Sequence, residues 1–462
     1  GICLGKIVIL AEKPDFGTSL AATIGGCYID GKELTPELLA DKKYEGLIKK
    51  KRAKDGFLKA KLDGKECVIT WVFGHLAKLK QAHDYDTRYK NWSEELFPFI
   101  PERYEIKLKE EPGIRKQFEL IKSLFNDEST EYIINATDSD REGELIFEYI
   151  YRLTGCKKPY KRLWINSQTE EAIEHGLKTL KSAEEMKALQ SAGQCRAIAD
   201  WLVGANLTAV ATIKYGGYKN MISIGRVQTP TLAIIVNREK EIRDFKPETY
   251  YELVGTFTAK NGESYQGVWK RGKKERFSTK SEAEEILNKV NGKDGIVTKY
   301  TESRSKESPP LLYDLTSLQM DANKRYGFSA KKTLDLAQIL YEKQFLTYPR
   351  TDSRYLGDDY KSEIRRIIAA IDDKYKPYKE QLLSKRLPYP KRVFDNSKVG
   401  SHHAIILTYK TPKDLTPDQQ LIYDMVAESL LMAFMPDAVW SNTKIETTVE
   451  GEIFYSSGKT LV

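Results

Sequence analysis

The first third of the chain alternates short apolar runs with segments of helical periodicity. Apolar runs at residues 6–10, 68–73 and 132–134 have the length and composition of buried strands. Helical periodicity follows at residues 18–24 and 112–125. Strands that alternate with helices predict an α/β part of the molecule built on a parallel sheet.

Longer helices dominate after residue 151. The pattern predicts helices at residues 169–180, 184–211, 314–326, 330–341 and 415–435, a helix that ends at Arg243, and strands at residues 250–258 and 441–448. The basic run at residues 49–61 predicts a solvated loop. Residues 303–310 are polar and contain prolines, which predicts a crossing between domains.

Acidic residues stand directly after two of the predicted strands. Glu12 and Lys13 follow the first strand, and Asp138, Asp140 and Glu142 follow the third. In open α/β sheets, ligands bind beyond the carboxyl ends of the strands. Carboxylates there suit Mg²⁺, which takes one or two of them plus phosphate oxygens, and Lys13 could neutralise a phosphate oxygen. The alternatives are a solvated acidic turn that caps a helix and a surface Glu–Lys pair.

A Tyr-Pro-Arg sequence marks a second candidate for chemistry. The ordinary pKa of a phenol is about 10, so Tyr348 needs nearby positive charge or a proton acceptor to become a nucleophile. Arg350 offers that charge; the alternative is a tyrosine ring packed in a turn. His402 and His403 lack the further partners of a metal site, so one histidine as proton carrier or phosphate donor is the better interpretation.

Three further places carry residue types suited to nucleic acid. Residues 223–228, S-I-G-R-V-Q, combine a glycine that permits close backbone approach with polar donors for phosphate. His75 follows Gly74 at a strand end and contacts a phosphate or is a buried structural histidine. Trp201 is either core or a platform for a base.

Composition narrows the class of protein only slightly. The 462 residues are 40% hydrophobic and 30% charged with a net charge of +8, a weak hint of a polyanionic partner. No apolar run reaches membrane-spanning length, and five scattered cysteines indicate a reducing compartment without a disulfide framework or zinc ribbon. Two near matches to a phosphate-binding loop, at residues 26–33 and 458–460, fail in spacing or context, so we expect no ATP binding. The chain lacks an initial Met and stops inside a strand-like pattern, so we expect a fragment at both ends.

The order of these segments resembles the type IA DNA topoisomerases, and most of all their bacterial topoisomerase III branch. The resemblance runs nearly end to end. Its motifs are A-E-K-P at 11–14, F-G-H-L at 73–76, D-S-D-R-E-G-E at 138–144, R-A-I-A-D-W-L-V-G-A-N at 196–206, S-I-G-R-V-Q-T-P-T-L at 223–232, D-L-T-S-L-Q at 314–319, T-Y-P-R-T-D-S-R-Y-L at 347–356 and S-H-H-A-I-I at 401–406.

This resemblance implies a multidomain α/β and α fold. A Rossmann-like toprim domain with a parallel sheet would occupy residues 1–155. It would be followed by a helical DNA-binding domain at 156–225, an arch domain with β-strands at 226–302, a helical domain carrying the catalytic tyrosine at 303–410, and a truncated return of the arch at 411–462. These domains would form the family's ring, incomplete here because the chain stops before the segments that close it.

The resemblance also implies roles for single residues. Tyr348 would attack a phosphodiester of single-stranded DNA and form a 5′-phosphotyrosine, while Arg350 holds the scissile phosphate and Glu12 handles the proton of the leaving hydroxyl. The Mg²⁺ site would comprise Glu12, Asp138, Asp140 and Glu142. The remaining implied positions are the catalytic Lys13 and His402 and the DNA contacts His75, Trp201, Lys214, Ser223, Ile224, Gly225, Arg226, Val227, Gln228 and Arg350. Ala209 stands where the family has an arginine that contacts DNA, with Lys214 as a partial substitute, and Leu407 replaces a proline.

The resulting hypothesis is an ATP-independent, Mg²⁺-dependent enzyme that cleaves one strand, passes a strand and reseals it, relaxing negative supercoils or decatenating DNA. The implied partners are single-stranded DNA, negatively supercoiled or catenated duplex DNA and a helicase. The implied state is a monomer in the bacterial cytoplasm, at the nucleoid and away from membranes. The alternatives are a truncated single-strand-binding protein and a toprim nuclease or primase, neither of which needs Tyr348.

Overall fold

The computed structural model describes residues 5–39, 41–217 and 220–462. Cys3, one of the five cysteines, lies outside these ranges. The chain divides into two compact units, of which unit 1 holds Gly1–Ala233 and Leu311–Leu431 and unit 2 holds Ile234–Pro310 and Met432–Val462. The five-domain division expected above is finer than this one and stays a prediction.

The predicted helices and strands are present at or near their predicted bounds, together with many elements that the sequence pattern did not predict. Up to the end of the longest helix they are β1 (Lys6–Ala11), α1 (Pro14–Ile24), β2 (Tyr28–Ile29), β3 (Lys32–Glu33), α2 (Pro36–Leu39), α3 (Lys42–Asp55), β4 (Phe57–Leu62), β5 (Lys65–Trp71), β6 (Ala77–Leu79), α4 (Ala82–Tyr85), β7 (Ile106–Leu108), α5 (Ile114–Asn126), β8 (Thr130–Ala136), α6 (Arg141–Thr154), β9 (Tyr160–Arg162), α7 (Glu170–Lys178), β10 (Lys181–Ser182) and α8 (Ala183–Ala211). The later elements are α9 (Gln228–Arg243), β11 (Val254–Thr258), β12 (Ser264–Trp269), α10 (Lys280–Val290), β13 (Ile296–Glu307), α11 (Leu315–Tyr326), α12 (Ala330–Glu342), α13 (Ile364–Ala370), α14 (Lys376–Leu383), α15 (Pro417–Ala433), β14 (Ala438–Val449) and β15 (Glu452–Leu461).

A six-stranded sheet with the order β10-β9-β8-β1-β5-β4 forms the centre of the first part of unit 1. β1 pairs in parallel with both β8 and β5. Alternate residues of β1 enter different cores, Ile7 and Ile9 on one face of the sheet and Val8 and Leu10 on the other. A strand buried on both faces reads as a continuous apolar run, which is why K-I-V-I-L identified it. The predicted parallel sheet is confirmed.

The prediction of a solvated loop at residues 49–61 is wrong, because this basic run forms the second half of α3 and most of β4. Asp41 caps the start of α3 by accepting a hydrogen bond from the backbone N–H of Lys43, and Gly56 ends the helix in the left-handed conformation. β4 alternates buried Leu58 and Ala60 with exposed lysines. Lysine is a good helix former, so a lysine-rich helix with a narrow buried face resembles a loop in composition.

Unit 2 is built on a five-stranded antiparallel sheet with the order β11-β12-β15-β14-β13. Trp269, Phe277 and Phe454 form its core, with Trp269 stacked on Phe277. β13 pairs with β14 at one edge, and every residue of it is exposed. The predicted domain crossing at residues 303–310 is therefore correct only at its end, because β13 continues to Glu307 and the boundary between units follows Pro310. A strand solvated on both faces carries no apolar alternation that a sequence pattern could reveal.

Candidate active site

The acidic residues stand where β1 and β8 end side by side in unit 1. Ala11 and Ala136 are register partners in this parallel pair. The next residues leave the sheet together, and the carboxylate of Glu12 accepts a hydrogen bond from the backbone N–H of Asp138 at 2.9 Å. The strand ends thus bring Glu12 and Asp138 into one crevice.

Asp140 begins α6 and fixes the turn of the acidic loop. Its Oδ1 accepts a hydrogen bond from the backbone N–H of Gly143 at 2.7 Å. A Cβ atom on Gly143 would lie 2.0 Å from the carbonyl oxygen of Asp138, so only glycine allows the loop to fold back on the first helical turn. The helix-capping role is therefore real, but it occupies one carboxylate oxygen and leaves Oδ2 for another partner.

A buried ion pair holds the loop from behind. Arg162 and Glu144 form this pair with both side chains 0% exposed. The guanidinium of Arg162 also donates to the carbonyl oxygens of Asn135, Thr137 and Asp138. Because a buried cation with several acceptors has little freedom, the main chain that leads to the acids is fixed.

Tyr348 reaches the acidic loop from the second half of unit 1. Its hydroxyl donates a hydrogen bond to Asp140 Oδ2 at 2.7 Å, and the residue is only 1% exposed. The ring meets Tyr341 edge-on at 5.2 Å between centroids. Burial first, and then the charges of Asp140 and Asp138, raise the pKa of the Tyr348 phenol. The structure therefore places the phenol beside a carboxylate that can accept its proton.

Two cations stand at the same place, each held by a residue of α12. Lys13 forms an ion pair with Glu342. Arg350 donates from Nη1 to Gln338 Oε1 at 3.2 Å, and the same nitrogen lies 4.0 Å from Asp138 Oδ2. The Arg350 guanidinium and the Lys13 ammonium thus stand at the acidic crevice, and each is bound by a polar side chain of α12.

The two histidines have different surroundings. His402 is buried, and its Nε2 donates to the carbonyl oxygen of Ser139 while its Nδ1 lies 2.6 Å from Asn166 Oδ1. Its ring lies 4.6 Å from that of Tyr348 between centroids. His403 instead binds Tyr360 and the carbonyl of Ala404 away from the acids, and burial lowers its pKa to about 4. Only His402 is therefore placed to act on the tyrosine.

The carboxylates fit a divalent cation by their charge. Burial, followed by the charge of Asp138, raises the pKa of Glu12 to about 8, and burial followed by Asp140 raises that of Asp138 to about 6. Such acids ionise more readily beside a cation. Among the residues that the structure describes, no three Asp, Glu, His or Cys side chains form a closed ligand set. Mg²⁺ does not need one, since it keeps waters and takes few carboxylates together with phosphate oxygens.

Glu142 stands at the edge of this group. Its carboxylate pairs with His75, a contact that lowers the pKa of Glu142. Both side chains are partly exposed, and Glu142 borders a cavity of about 860 Å³ that also touches Glu12, Asp138 and Arg350. Glu142 and His75 therefore stand at the mouth of the crevice.

The remaining predicted DNA contacts gather around α8. Thr208 exchanges hydrogen bonds with both backbone groups of Ile224, and Arg226 pairs with Asp200 at 2.6 Å. The segment 223–228 therefore lies along α8, where Ser223, Arg226, Val227 and Gln228 are exposed and Ile224 and Gly225 half-buried. Trp201 meets Phe99 and Tyr104 edge-on, which favours the core interpretation of its ring. Lys214 is exposed, and Ala209 is 0% exposed, so an arginine would not fit at 209 without rearrangement.

Four residues of the site carried no signal in the sequence analysis. Arg162 binds Glu144 and several main-chain carbonyls. Asn166 contacts Tyr348 and His402. No motif in the sequence reports these contacts. Gln338 and Glu342 are spaced four residues apart on the helix before Tyr348, and this spacing could have indicated a shared polar face.

Comparison with known proteins identifies the family. A family model described as DNA topoisomerase matches residues 184–462, and one described as Toprim domain matches residues 7–168. DNA topoisomerase 3 of Bacillus subtilis (strain 168) is 35% identical over 462 residues, which cover 99% of this chain and 59% of the relative. DNA topoisomerase 3 of Bacillus cereus (strain ATCC 14579) is 35% identical over 465 residues, again with 59% of the relative covered.

The fold has a solved counterpart. Full-length topoisomerase I from Thermotoga maritima superposes with a TM-score of 0.67 at 22% identity, over 98% of this chain and 66% of that one. Every helix among the described residues is too short or too polar to cross a membrane. The chain spans 59% of the length of the curated relatives that it matches. By its two family matches and its similarity to these relatives, the chain belongs to the type IA DNA topoisomerases.

Proposed function

We propose that this chain carries the strand-cleavage site of a type IA topoisomerase, with Tyr348 as the nucleophile. The observation that supports this most is the hydrogen bond of 2.7 Å from the Tyr348 hydroxyl to Asp140. A weak nucleophile and a proton acceptor are already in contact, which is the arrangement that nucleophilic catalysis requires.

In the proposed reaction, Asp140 takes the phenol proton as the Tyr348 oxygen attacks the phosphorus of a single-stranded DNA phosphodiester. The bond from phosphorus to the 3′ oxygen breaks, and Glu12, whose raised pKa favours its protonated form, gives the leaving oxygen a proton. Arg350 and Lys13 exchange their protein partners for the phosphate oxygens. Once Glu12 has given up its proton, Glu12 and Asp138 would hold Mg²⁺ beside the protonated Asp140, and the ion would add charge stabilisation at the phosphate.

Resealing reverses these steps. The 3′ hydroxyl attacks the 5′-phosphotyrosine, Glu12 takes its proton, and Tyr348 leaves with the proton held by Asp140. Cleavage exchanges the DNA phosphodiester for a phosphotyrosine ester that keeps the energy of the bond, so resealing needs no ATP. His402, beside the tyrosine ring, would donate to the phosphate in either direction by exchanging its contact with the Ser139 carbonyl for a phosphate oxygen.

For the whole protein we propose strand passage that relaxes negatively supercoiled DNA or decatenates duplexes, at the bacterial nucleoid in the cytoplasm. The relatives named DNA topoisomerase 3 support this choice. We propose contacts to DNA through His75, which pairs with Glu142 at the mouth of the crevice, and through Lys214 and residues 223–228. We also propose that the protein is a monomer and that a helicase is an occasional partner. The five-domain division expected from the sequence is part of the same proposal.

Trapping of a covalent adduct tests the proposed chemistry. Tyr348→Phe should form no protein-linked DNA on a 3′-labelled single-stranded oligonucleotide after denaturation, whereas Tyr326→Phe, at an exposed residue of α11, should behave as wild type. The assay is run with Mg²⁺ and with chelator, alongside plasmid relaxation. Adducts that persist in Tyr348→Phe would refute the assignment. Cleavage without an adduct would point to a toprim nuclease, and binding without any change in linking number to a single-strand-binding protein.

A further inference from the structure

Asn166 touches both the nucleophile and its neighbouring histidine. Its backbone carbonyl accepts a hydrogen bond from the N–H of Tyr348 at 2.8 Å. Its side-chain amide lies 2.6 Å from Nδ1 of His402. One residue thus connects the main chain of the tyrosine with the ring of the histidine.

The residues before Asn166 strengthen this connection. Trp164 stacks on the His402 ring, with 5.4 Å between centroids and 17° between planes. The backbone N–H of Ile165 donates to Ser139 Oγ at 3.1 Å, inside the acidic loop. Residues 164–166 therefore contact the loop, the histidine and the tyrosine together.

The hydrogen bonds around His402 explain why an amide suits this place. The carbonyl oxygen of Ser139 can only accept, so Nε2 of His402 carries a proton. When the ring is charged, Nδ1 also carries a proton and donates to the amide oxygen of Asn166. When the ring is neutral, Nδ1 accepts a hydrogen bond from the amide NH₂, for which the amide must flip. An asparagine side chain can satisfy both states, whereas an apolar residue would leave a buried ring nitrogen unpaired.

We propose that Asn166 is a positioning residue for strand cleavage, which holds the Tyr348 main chain through its carbonyl and the His402 ring through its amide. This inference rests on the proposed function of Tyr348. It adds a residue outside the acid, tyrosine and histidine motifs, on the segment that joins β9 to α7.

Substitution at 166 tests the side-chain half of this arrangement. Asn166→Ala keeps the carbonyl and removes the amide; Asn166→Asp keeps an acceptor oxygen. We expect single-turnover adduct formation to fall about a hundredfold in Asn166→Ala, because misplacement of a catalytic group by about 1 Å costs roughly that much. Affinity for uncleaved oligonucleotide, measured in a Tyr348→Phe background, should stay within about twofold, since Asn166 is not proposed to touch DNA. Asn261→Ala, in the exposed turn between β11 and β12, is the matched control.

Nuclear magnetic resonance of ¹⁵N-labelled histidine gives a readout that does not depend on cleavage. The chain has 5 histidines, and loss of a signal in His402→Gln assigns His402. The ring signals of His402 should move in Asn166→Ala and differ again in Asn166→Asp, with thermal midpoints near wild type. Equal adduct rates and unchanged ring signals in both variants would overturn the inference. A wild-type protein that forms no adduct would refute the proposed function, while the ring signals would still decide whether Asn166 fixes His402.

Discussion

Asp140 divides its two carboxylate oxygens between two tasks. Oδ1 caps α6 and Oδ2 receives the hydroxyl of Tyr348. Because burial disfavours the phenolate, the phenol needs this acceptor at the moment of attack. A single carboxylate thus ties the geometry of a helix start to the reactivity of a tyrosine.

Replacing this carboxylate by its amide should separate the two tasks. Asp140→Asn keeps a cap acceptor but cannot take a proton, so adduct formation should slow by about 10²-fold or more. The rate of adduct formation in single turnover measures this. Asp294→Asn, on the surface of unit 2, is the control and should match wild type. A rate within about twofold of wild type would exclude Asp140 as the proton acceptor.

Glu12 makes the stability of the cation-free protein depend on pH. Its pKa is raised from the ordinary 4.5 to about 8, so folding favours the protonated form. Its contribution is fully present below pH 4.5 and is lost as the pH rises through about 8, by about 1.4 kcal/mol per pH unit at most. Asp138, whose pKa is raised to about 6, contributes in the same direction, and its contribution to stability is lost as the pH rises through about 6.

We therefore expect the thermal midpoint in chelator to fall between about pH 5 and about pH 8. Glu12→Gln should remove most of this slope, whereas Glu110→Gln, an exposed control, should keep it. Mg²⁺ should also reduce the slope, since a cation favours the ionised carboxylates. Differential scanning calorimetry across this range measures the effect, and an equal slope in Glu12→Gln would contradict the assigned cause.

The sequence predicted the residues of the site better than their contacts. Tyr348, Glu12 and Asp138 could be identified because they follow strands or sit in a distinctive motif. The partners of Lys13 and Arg350 could not, because Glu342 and Gln338 reach them only through packing of α12 on the sheet ends. Lys13 and Glu342 are 329 positions apart in the sequence, and Gln338 and Arg350 are 12 apart. Hydrophobic periodicity does not predict either contact.

At the scale of elements, the start of α6 depends on one glycine. Gly143→Ala would place a Cβ atom 2.0 Å from the carbonyl oxygen of Asp138. We expect a loss of about 1–3 kcal/mol in the free energy of unfolding, because an overpacked site must shift its backbone. Urea denaturation measures it.

Gly46→Ala is the matched control for this change. Gly46 also lies in a helix, α3, and nothing stands within 4 Å of its Cβ position. Alanine should stabilise there by about 0.5–1 kcal/mol, because it lowers the entropy of the unfolded chain. Equal changes in the free energy of unfolding at the two sites would mean that the acidic loop can move to accommodate a Cβ atom at residue 143.

Secondary structure was predictable where one face of an element is buried. Strands β1, β5 and β8 and helices α5, α11 and α12 were predictable from their apolar periodicity. α3 and β13 did not, since the first has few buried positions and the second has none. Elements that depend on capping or on edge pairing alone leave little trace in hydrophobic pattern.

At the scale of the whole molecule, a net charge of +8 should make DNA binding depend on salt. Three neutralised phosphates on a single strand lower the affinity about twentyfold between about 50 and about 200 mM salt. Arg226→Ala should reduce the slope by about one phosphate, and the exposed Arg238→Ala should leave it unchanged. Fluorescence anisotropy at several salt concentrations measures both, and equal slopes would remove residues 223–228 from the contact surface.

Gln338 and Glu342 stand one helical turn apart on α12 and are hydrogen-bonded to each other at 3.0 Å. One engages Arg350 and the other Lys13, which come from opposite halves of unit 1. A rotation or slide of this helix would therefore withdraw or release both positive charges in the same motion. The attraction of the crevice for a phosphate would then rise or fall in one step, governed by the position of a single helix.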